Sequence, residues 1–393
     1  MEYARQFDYA PTALRLSGRQ WGALAGLLAL LCGGVPALWV RVERTDVGRD
    51  YRLPYAFSQD YWECARLCRD AARSGQVLLL GDSVVWGEYT GPADALPGQL
   101  NRLAGRAQFR NLGVNGLHPV ALYGLVRHHG GALRGCQVVV VLNTLWMTSA
   151  RHDLREAPAD AEEAEGSFNH PALVPQFWPR VPRYTAGFEE RASVVVERAL
   201  PFLQWVSHLE AKSAYARAHG VGEDDAARPG RPAAGSTAAA EPRVDDPLPR
   251  PFAALLTPMP SQDPGAHSPP LSWEARGIPV SRIDWPAADE SLQWRFFRTA
   301  VALLRARGNR VCVYVSPFNP YLQTPESQAA GAVMVRAMVG QLQDAGVTVC
   351  VGSPPPSAEY ADASHPLAAG YERLAGELLA SQEFQAWRAA AGP

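Results

Sequence analysis

Lysine is almost missing from this chain: of 37 basic residues, only Lys212 is not arginine. Alongside abundant alanine, glycine and proline this reads as a compositional bias, so no arginine-specific chemistry follows from it. Neither sign of charge is in excess. A formal net charge of -2 excludes the broad basic surface that phosphate backbones demand, and no nucleic-acid partner is expected. Cysteine is scarce as well. Six in 393 residues are too few for a disulfide scaffold, and none has the CxxC or Cys/His spacing of a zinc site, so no metal is expected. Cys64 and Cys68 would share one face of a helix as buried apolar thiols; a disulfide is poorly shaped for that spacing. With 47% hydrophobic and 19% charged residues, the chain is not a disordered one, and its length allows one large or two ordinary domains. No internal repeat is visible.

What the chain does have is one long uncharged run. Residues 21–40, Trp21 to Val40, carry no charge and lie between Arg19-Gln20 and Arg41. As a helix the run spans roughly 30 Å, the thickness of a bilayer core, with Trp21 and Trp39 near its ends where interfacial aromatics sit. It is apolar all round, which favours a membrane anchor over a buried core helix. No convincing small-x-small cleavage site follows it. Arginines flank both ends, so charge does not set the orientation.

Beyond a tail (1–20) and the anchor, residues 41–75 read as a connecting segment with a short helix at 61–72. Near-continuous apolar runs then predict strands at 76–80, 108–112, 137–142, 310–315 and 347–351. Helical patterns between them fall at 96–104, 119–129, 289–307, 325–345 and 366–379. Such alternation predicts an α/β fold with a parallel, doubly wound sheet over residues 76–380. An insertion, 151–288, separates the third and fourth strands. Within it 187–217 reads as helical, broken at Pro201. Residues 220–270, rich in proline, alanine and glycine, are expected to be extended or disordered. The insertion either carries substrate contacts or is a plain surface excursion. Residues 381–393 read as a C-terminal tail.

Two segments carry chemistry. Gly81-Asp82-Ser83 ends the first strand, where a serine at a turn into a helix can act as a nucleophile beside backbone N–H donors. Ser and Asp are also ordinary N-cap residues, so this tripeptide alone leaves capping open. Near the C-terminus stands Asp362-Ala363-Ser364-His365-Pro366. An aspartate three residues before a histidine can orient the imidazole from the same loop. Lying after the last strand, His365 would share the carboxyl rim of the sheet with Ser83. Arg151, His152 and Asp153, past the third strand, could line the pocket rim; a solvated loop is the plainer reading.

In type, order and spacing these segments resemble the SGNH (GDSL-type) hydrolase and acyltransferase superfamily, over roughly residues 76–150 and 289–380. The resemblance implies Ser83 as nucleophile, His365 as general base and Asp362 as its orienting acid. The family's second block, N-x-x-x-x-G, matches Asn111 to Gly116, implying a Gly116 N–H in an oxyanion hole with that of Ser83. Its third block, G-x-N-D, is replaced by Leu142-Asn143-Thr144-Leu145, with Leu145 where the family has asparagine; Asn143 is the available third donor. The implied fold is flavodoxin-like, five parallel strands in the order 2-1-3-4-5. The implied reaction is acyl transfer through an acyl-enzyme, with no cofactor required.

Asn111–Pro119, Leu142–Leu154, Ser316–Tyr321 and the anchor further resemble membrane-tethered members that accompany membrane-bound O-acyltransferases in decorating exported polysaccharides. That likeness implies a periplasmic catalytic domain, a carbohydrate acceptor reached through an open polar cleft, and O-acetyl transfer in the cell envelope. An esterase for lipids or small esters, and an inert polysaccharide-binding or scaffold module, are the alternatives.

Overall fold

A computed structural model describes residues 16–43, 48–160, 168–219 and 270–390. Most of the stretch expected to be disordered, 220–270, lies outside these residues, as does most of the N-terminal tail. The first element is α1 (Gly18–Val42), a 25-residue helix whose most apolar 18-residue stretch has a mean hydropathy of 2.1 and which is long and apolar enough to cross a membrane. Ser17 and Gln20 close a capping box at its start, and its central residues Leu30–Gly34 wind as a π-type turn.

After α1 come α2 (Tyr61–Arg73), β1 (Val77–Gly81), the single-turn α3 (Ser83–Trp86), α4 (Leu96–Leu103), β2 (Phe109–Gly113), α5 (Pro119–His128) and β3 (Gln137–Asn143). The insertion contributes α6 (Phe188–Ala199) and α7 (Pro201–His219), split at Pro201 as expected. Then follow α8 (Leu292–Ala306), β4 (Arg310–Ser316), α9 (Pro325–Asp344), β5 (Thr348–Val351), α10 (Ala368–Ala380) and α11 (Gln382–Ala389). The five strands form one sheet in the order β2-β1-β3-β4-β5, and every pairing is parallel. This is the doubly wound architecture anticipated from the apolar runs. Each strand is buried on both faces, so alternation disappears: Leu78 and Leu80 face one core with Cys64, Leu125, Trp294 and Met334, while Val77 and Leu79 face another with Leu100, Tyr371 and Phe384.

Two boundaries and the setting of one residue change. Residues 41–75 are not a connector, because Tyr51, Leu53 and Phe57 are buried in the first core together with Cys64 and Cys68 of α2, whose thiols are free. The expected C-terminal tail instead forms α11, which packs Phe384 and Trp387 into the second core. Asp153 is not in a solvated loop. Fully buried, its carboxylate accepts from Ser291 Oγ (2.6 Å) and from the backbone N–H groups of Leu292 (3.1 Å) and Gln293 (3.0 Å), capping α8, whereas Arg151 and His152 stay exposed.

The end of α1 is clamped to the domain. Glu43, buried at its C-cap, pairs with Arg66 of α2 (2.7 Å) and with Lys212 (2.6 Å) and His208 (3.0 Å) of α7. His208 Nδ1 faces Asp60 at 2.6 Å. With carboxylates on both ring nitrogens, His208 donates from both as an imidazolium. Burial opposes that charge, but the bonds to Asp60 and Glu43 raise its pKa to about 9. Burial also disfavours the Glu43 carboxylate, yet the His208 hydrogen bond and the charges of His208, Arg66 and Lys212 bring it down to about 2. Glu43, Glu63 and His208 bring ligand atoms close enough to hold a metal ion, but Arg66 and Lys212 already neutralise that cluster.

A raised folded-state pKa means that the His208 contribution is complete below 6.5, its ordinary value, and is lost as pH rises through about 9. The thermal midpoint of the detergent-solubilised protein should therefore fall between those limits, and His208→Gln should flatten that fall. Glu43→Gln should cost roughly 3 kcal/mol in the same measurement, since it strands buried cations.

Candidate active site

The carboxyl ends of β1, β2, β3 and the loop after β5 meet at one rim. Ser83 opens α3 immediately past β1, with Asp82 as its N-cap: the Asp82 carboxylate accepts from the Val84 N–H at 3.1 Å. Glycine at 113 is a steric requirement here, because a Cβ there would lie 2.2 Å from the Trp86 backbone nitrogen. Asn111 secures the same turn, donating to the Val85 carbonyl (3.0 Å) while accepting from Gly113 N–H (2.8 Å). Arg52, buried just beyond the anchor, stacks on the Trp86 ring at 3.8 Å and donates to the carbonyls of Trp86 (3.1 Å) and Gly87 (2.8 Å). Trp86 Nε1 in turn donates to the Leu53 carbonyl at 2.6 Å. The short helix that bears Ser83 is thus gripped from below.

Ser83, His365 and Asp362 come together in line. The Ser83 hydroxyl lies 2.8 Å from His365 Nε2, and His365 Nδ1 lies 2.8 and 2.9 Å from the two Asp362 oxygens. The Asp362 carboxylate also accepts from the backbone N–H groups of Ser364 (2.9 Å) and His365 (3.0 Å), closing the loop on itself. Asn319 braces that loop through its side chain to the Asp362 carbonyl (3.1 Å) and its N–H to Ala363 (2.8 Å). Burial disfavours charge on His365, but the Asp362 charge and hydrogen bond, with Asp82 and Glu88 beyond, hold its pKa above the usual 6.5. Burial likewise works against the Asp362 anion, and His365 outweighs it, giving a pKa of about 2. With Asp362 ionised on Nδ1, Nε2 is the acceptor for the serine proton. This arrangement can activate Ser83 as a nucleophile.

Gly116 follows β2 on the same rim with φ of 72°, a left-handed turn. Among the described residues neither its N–H nor that of Ser83 has a hydrogen-bond acceptor. Asn143 is spent elsewhere. Its amide nitrogen donates to Asp82 Oδ2 (2.8 Å) and Ser364 Oγ (3.3 Å), and its oxygen accepts from Leu145 N–H (3.0 Å), so its side chain braces the site and the third oxyanion donor expected there is not available from it. Trp146 Nε1 also donates to Asp82 Oδ2, at 2.7 Å. Burial pushes the Asp82 pKa up despite the bonds from Trp146, Val84 and Asn143.

Tyr89, in a left-handed conformation, sets its ring edge-on to His365 at 5.6 Å, with the Arg276 guanidinium 4.8 Å from the same ring. Arg276 belongs to the segment in which Trp273 N–H donates to the Tyr360 carbonyl at 2.9 Å, so the far end of the insertion touches the loop that bears Asp362 and His365. Sequence reasoning passed over Arg52, Tyr89, Trp146 and Asn319. Trp146 and Asn319 fall within the noted segments Leu142–Leu154 and Ser316–Tyr321, whereas Arg52 and Tyr89 offer no local signal. His118 and His170 are structural. Burial lowers their pKa values to about 3 and about 4, and their rings bond the Asn169 and Asn115 carbonyls.

No family model matches the chain, and no curated protein matches it. The chemistry of the site therefore rests on its own geometry.

His365 must be neutral to take the serine proton. The rate at which a small fluorophosphonate labels Ser83 should thus fall as pH drops through a value above 6.5. Asp362→Asn removes the charge that raises that value, so the acid limb should move to lower pH. An unchanged limb would sever Asp362 from the base.

Proposed function

We propose that the protein is a membrane-anchored serine acyl-transfer enzyme of the SGNH type, moving O-acetyl groups to or from an exported cell-envelope polysaccharide. The in-line contact of Ser83, His365 and Asp362 at the carboxyl rim of a parallel sheet carries this reading. His365 Nε2 accepts the Ser83 proton as Oγ attacks the ester carbonyl. The tetrahedral oxyanion is met by the N–H groups of Ser83 and Gly116. Collapse expels the first alcohol, which takes its proton from His365, and leaves an acyl-enzyme. A second hydroxyl, of sugar or water, is then deprotonated by His365 and takes the acyl group. No step needs a cofactor. Two backbone donors suffice for a working oxyanion hole, at a cost of roughly 10²–10³ in turnover for a missing third.

In this reading the domain stands at the membrane surface on the periplasmic side, an orientation taken from the family likeness and not from the charge pattern, where a membrane-bound O-acyltransferase would supply acyl groups. Protease added to permeabilised but unlysed cells should digest the domain; protection until lysis would put it in the cytoplasm.

A second reading, esterase action on longer acyl chains, is favoured by one feature. A cleft of about 250 Å³ at the carboxyl ends of β4 and β5 is lined mainly by apolar side chains, among them Trp285, Val315, Pro317, Phe318 and Val335, although none of Ser83, Asp362 and His365 lines it.

With an acetyl donor, Ser83→Ala and His365→Ala should each reduce turnover by roughly 10³ or more without lowering the thermal midpoint appreciably, and Asp362→Asn should retain more. Supplied with an oligosaccharide panel, the wild type should yield acetylated sugar by mass spectrometry. Free acetate alone, with acetylated glycans stripped, would make it a hydrolase. Faster turnover of octanoyl than acetyl esters would favour the second reading.

A further inference from the structure

The anchor is not bare along its length. α7 runs back along α1: Lys212 and His208 meet Glu43 at the anchor's end, Trp205 packs edge-on against Trp39 at 5.9 Å, and the start of α7 approaches the Leu30–Gly34 turn. Leu30–Gly34 lies eight or more residues before Val42, on the order of 12 Å down the helix axis by its rise per residue. The apex between α6 and α7, residues 199–202, therefore lies beside the middle of the anchor and not beside its end.

The apex has the surface of a membrane element. Val195, Val196 and Leu200 are exposed, as are Leu27, Leu28, Leu30 and Leu38 of the anchor. Farther out, Phe177 and Phe188 lie 5.8 Å apart with their rings tilted, both exposed, next to Trp178, which is 86% exposed. Several polar groups at the apex, including the side chains of Glu197 and Arg198, are paired within the chain. Gln204 Nε2 donates to the carbonyls of Glu197 (3.3 Å) and Arg198 (3.0 Å), the former also accepting from Leu200 N–H (3.3 Å), and the Leu200 carbonyl accepts from Leu203 N–H (3.0 Å). Arg198 donates to the Ala172 and Val174 carbonyls, and Ser207 donates to Glu197 (2.9 Å). A water-exposed turn has no need of such internal pairing, whereas backbone in contact with lipid does.

We propose that α6 and α7 form a second membrane element, a re-entrant hairpin whose apex, Val195–Phe202, inserts into the lipid leaflet that holds the C-terminal half of α1. This rests on α1 crossing the bilayer. The domain is then attached at two places, and Trp178, Phe177 and Phe188 lie toward the interface, where aromatic side chains are favoured.

Full-length protein in phosphatidylcholine–phosphatidylglycerol vesicles tests this. A nitrobenzoxadiazole probe is placed by Leu200→Cys, or by Val196→Cys should the first fail to fold, in a Cys32→Ser, Cys136→Ser background. Native Cys32, exposed in the anchor, and Val333→Cys, on the exposed face of α9, serve as references. Doxyl-labelled lipid should quench the apex probe about as strongly as Cys32 and several-fold more than position 333, with iodide showing the reverse. Iodide quenching at 200 while Cys32 stays lipid-quenched overturns the hairpin and leaves the anchor standing. Resistance to both quenchers means that protein covers the apex, and this too overturns it. Iodide quenching of Cys32 itself overturns the anchor reading and the hairpin with it.

Discussion

One buried carboxylate holds the candidate site together. Asp82 accepts from Val84 at the start of the serine turn, from Asn143 at the end of β3 and from Trp146 just beyond. Through Asn143 the same network reaches Ser364, beside His365. The turn after β1 and the loop after β3 thereby share one acceptor, and the loop that bears His365 is tied to them through Asn143. Removing that acceptor would leave several buried donors unpaired, each costing on the order of 1–3 kcal/mol. The positions of Ser83 and His365 are consequences of this pairing as much as of their own contact.

A second constraint connects the site to the membrane. Glu43 locks the end of α1 onto α2 and α7, and within ten residues Arg52 and Leu53 hold Trp86 at the back of the serine turn. No flexible tether intervenes between Gly48 and the domain core: Tyr51, Leu53 and Phe57 are part of it. The position of the candidate site relative to α1 is therefore set by packed side chains. Under the acyl-transfer reading proposed above, such fixed geometry helps to orient an acceptor, which contributes to rate through positioning.

Much of the fold was legible because the strongest signals are local. Val77–Leu80 and Val138–Leu142 are apolar without alternation because both faces of a parallel sheet are covered, and the break at Pro201 follows from a ring that cannot continue a helix. Asp362 and His365 were legible because their contact spans three residues and needs only one loop. Asn143 was misjudged for the opposite reason. A strand-end asparagine looks the same whether its amide faces a substrate or a buried carboxylate sixty-one residues away in sequence. Asp153 failed likewise: beside Arg151 and His152 it looked solvated, yet its partners lie at the start of α8, across the insertion.

The sequence by itself determined the sheet, the apolar span and the identity of the Ser-His-Asp residues, because periodicity, run length and short spacings are properties of neighbours along the chain. Tertiary structure alone decided that Ser83 meets His365 across 282 positions, that Arg52 supports the serine turn, and that α7 lies along the anchor. Burial is what separates the two. A charge such as Glu43 or Asp82 acquires its partners, and with them its role, only when the surrounding chain has closed over it and excluded water.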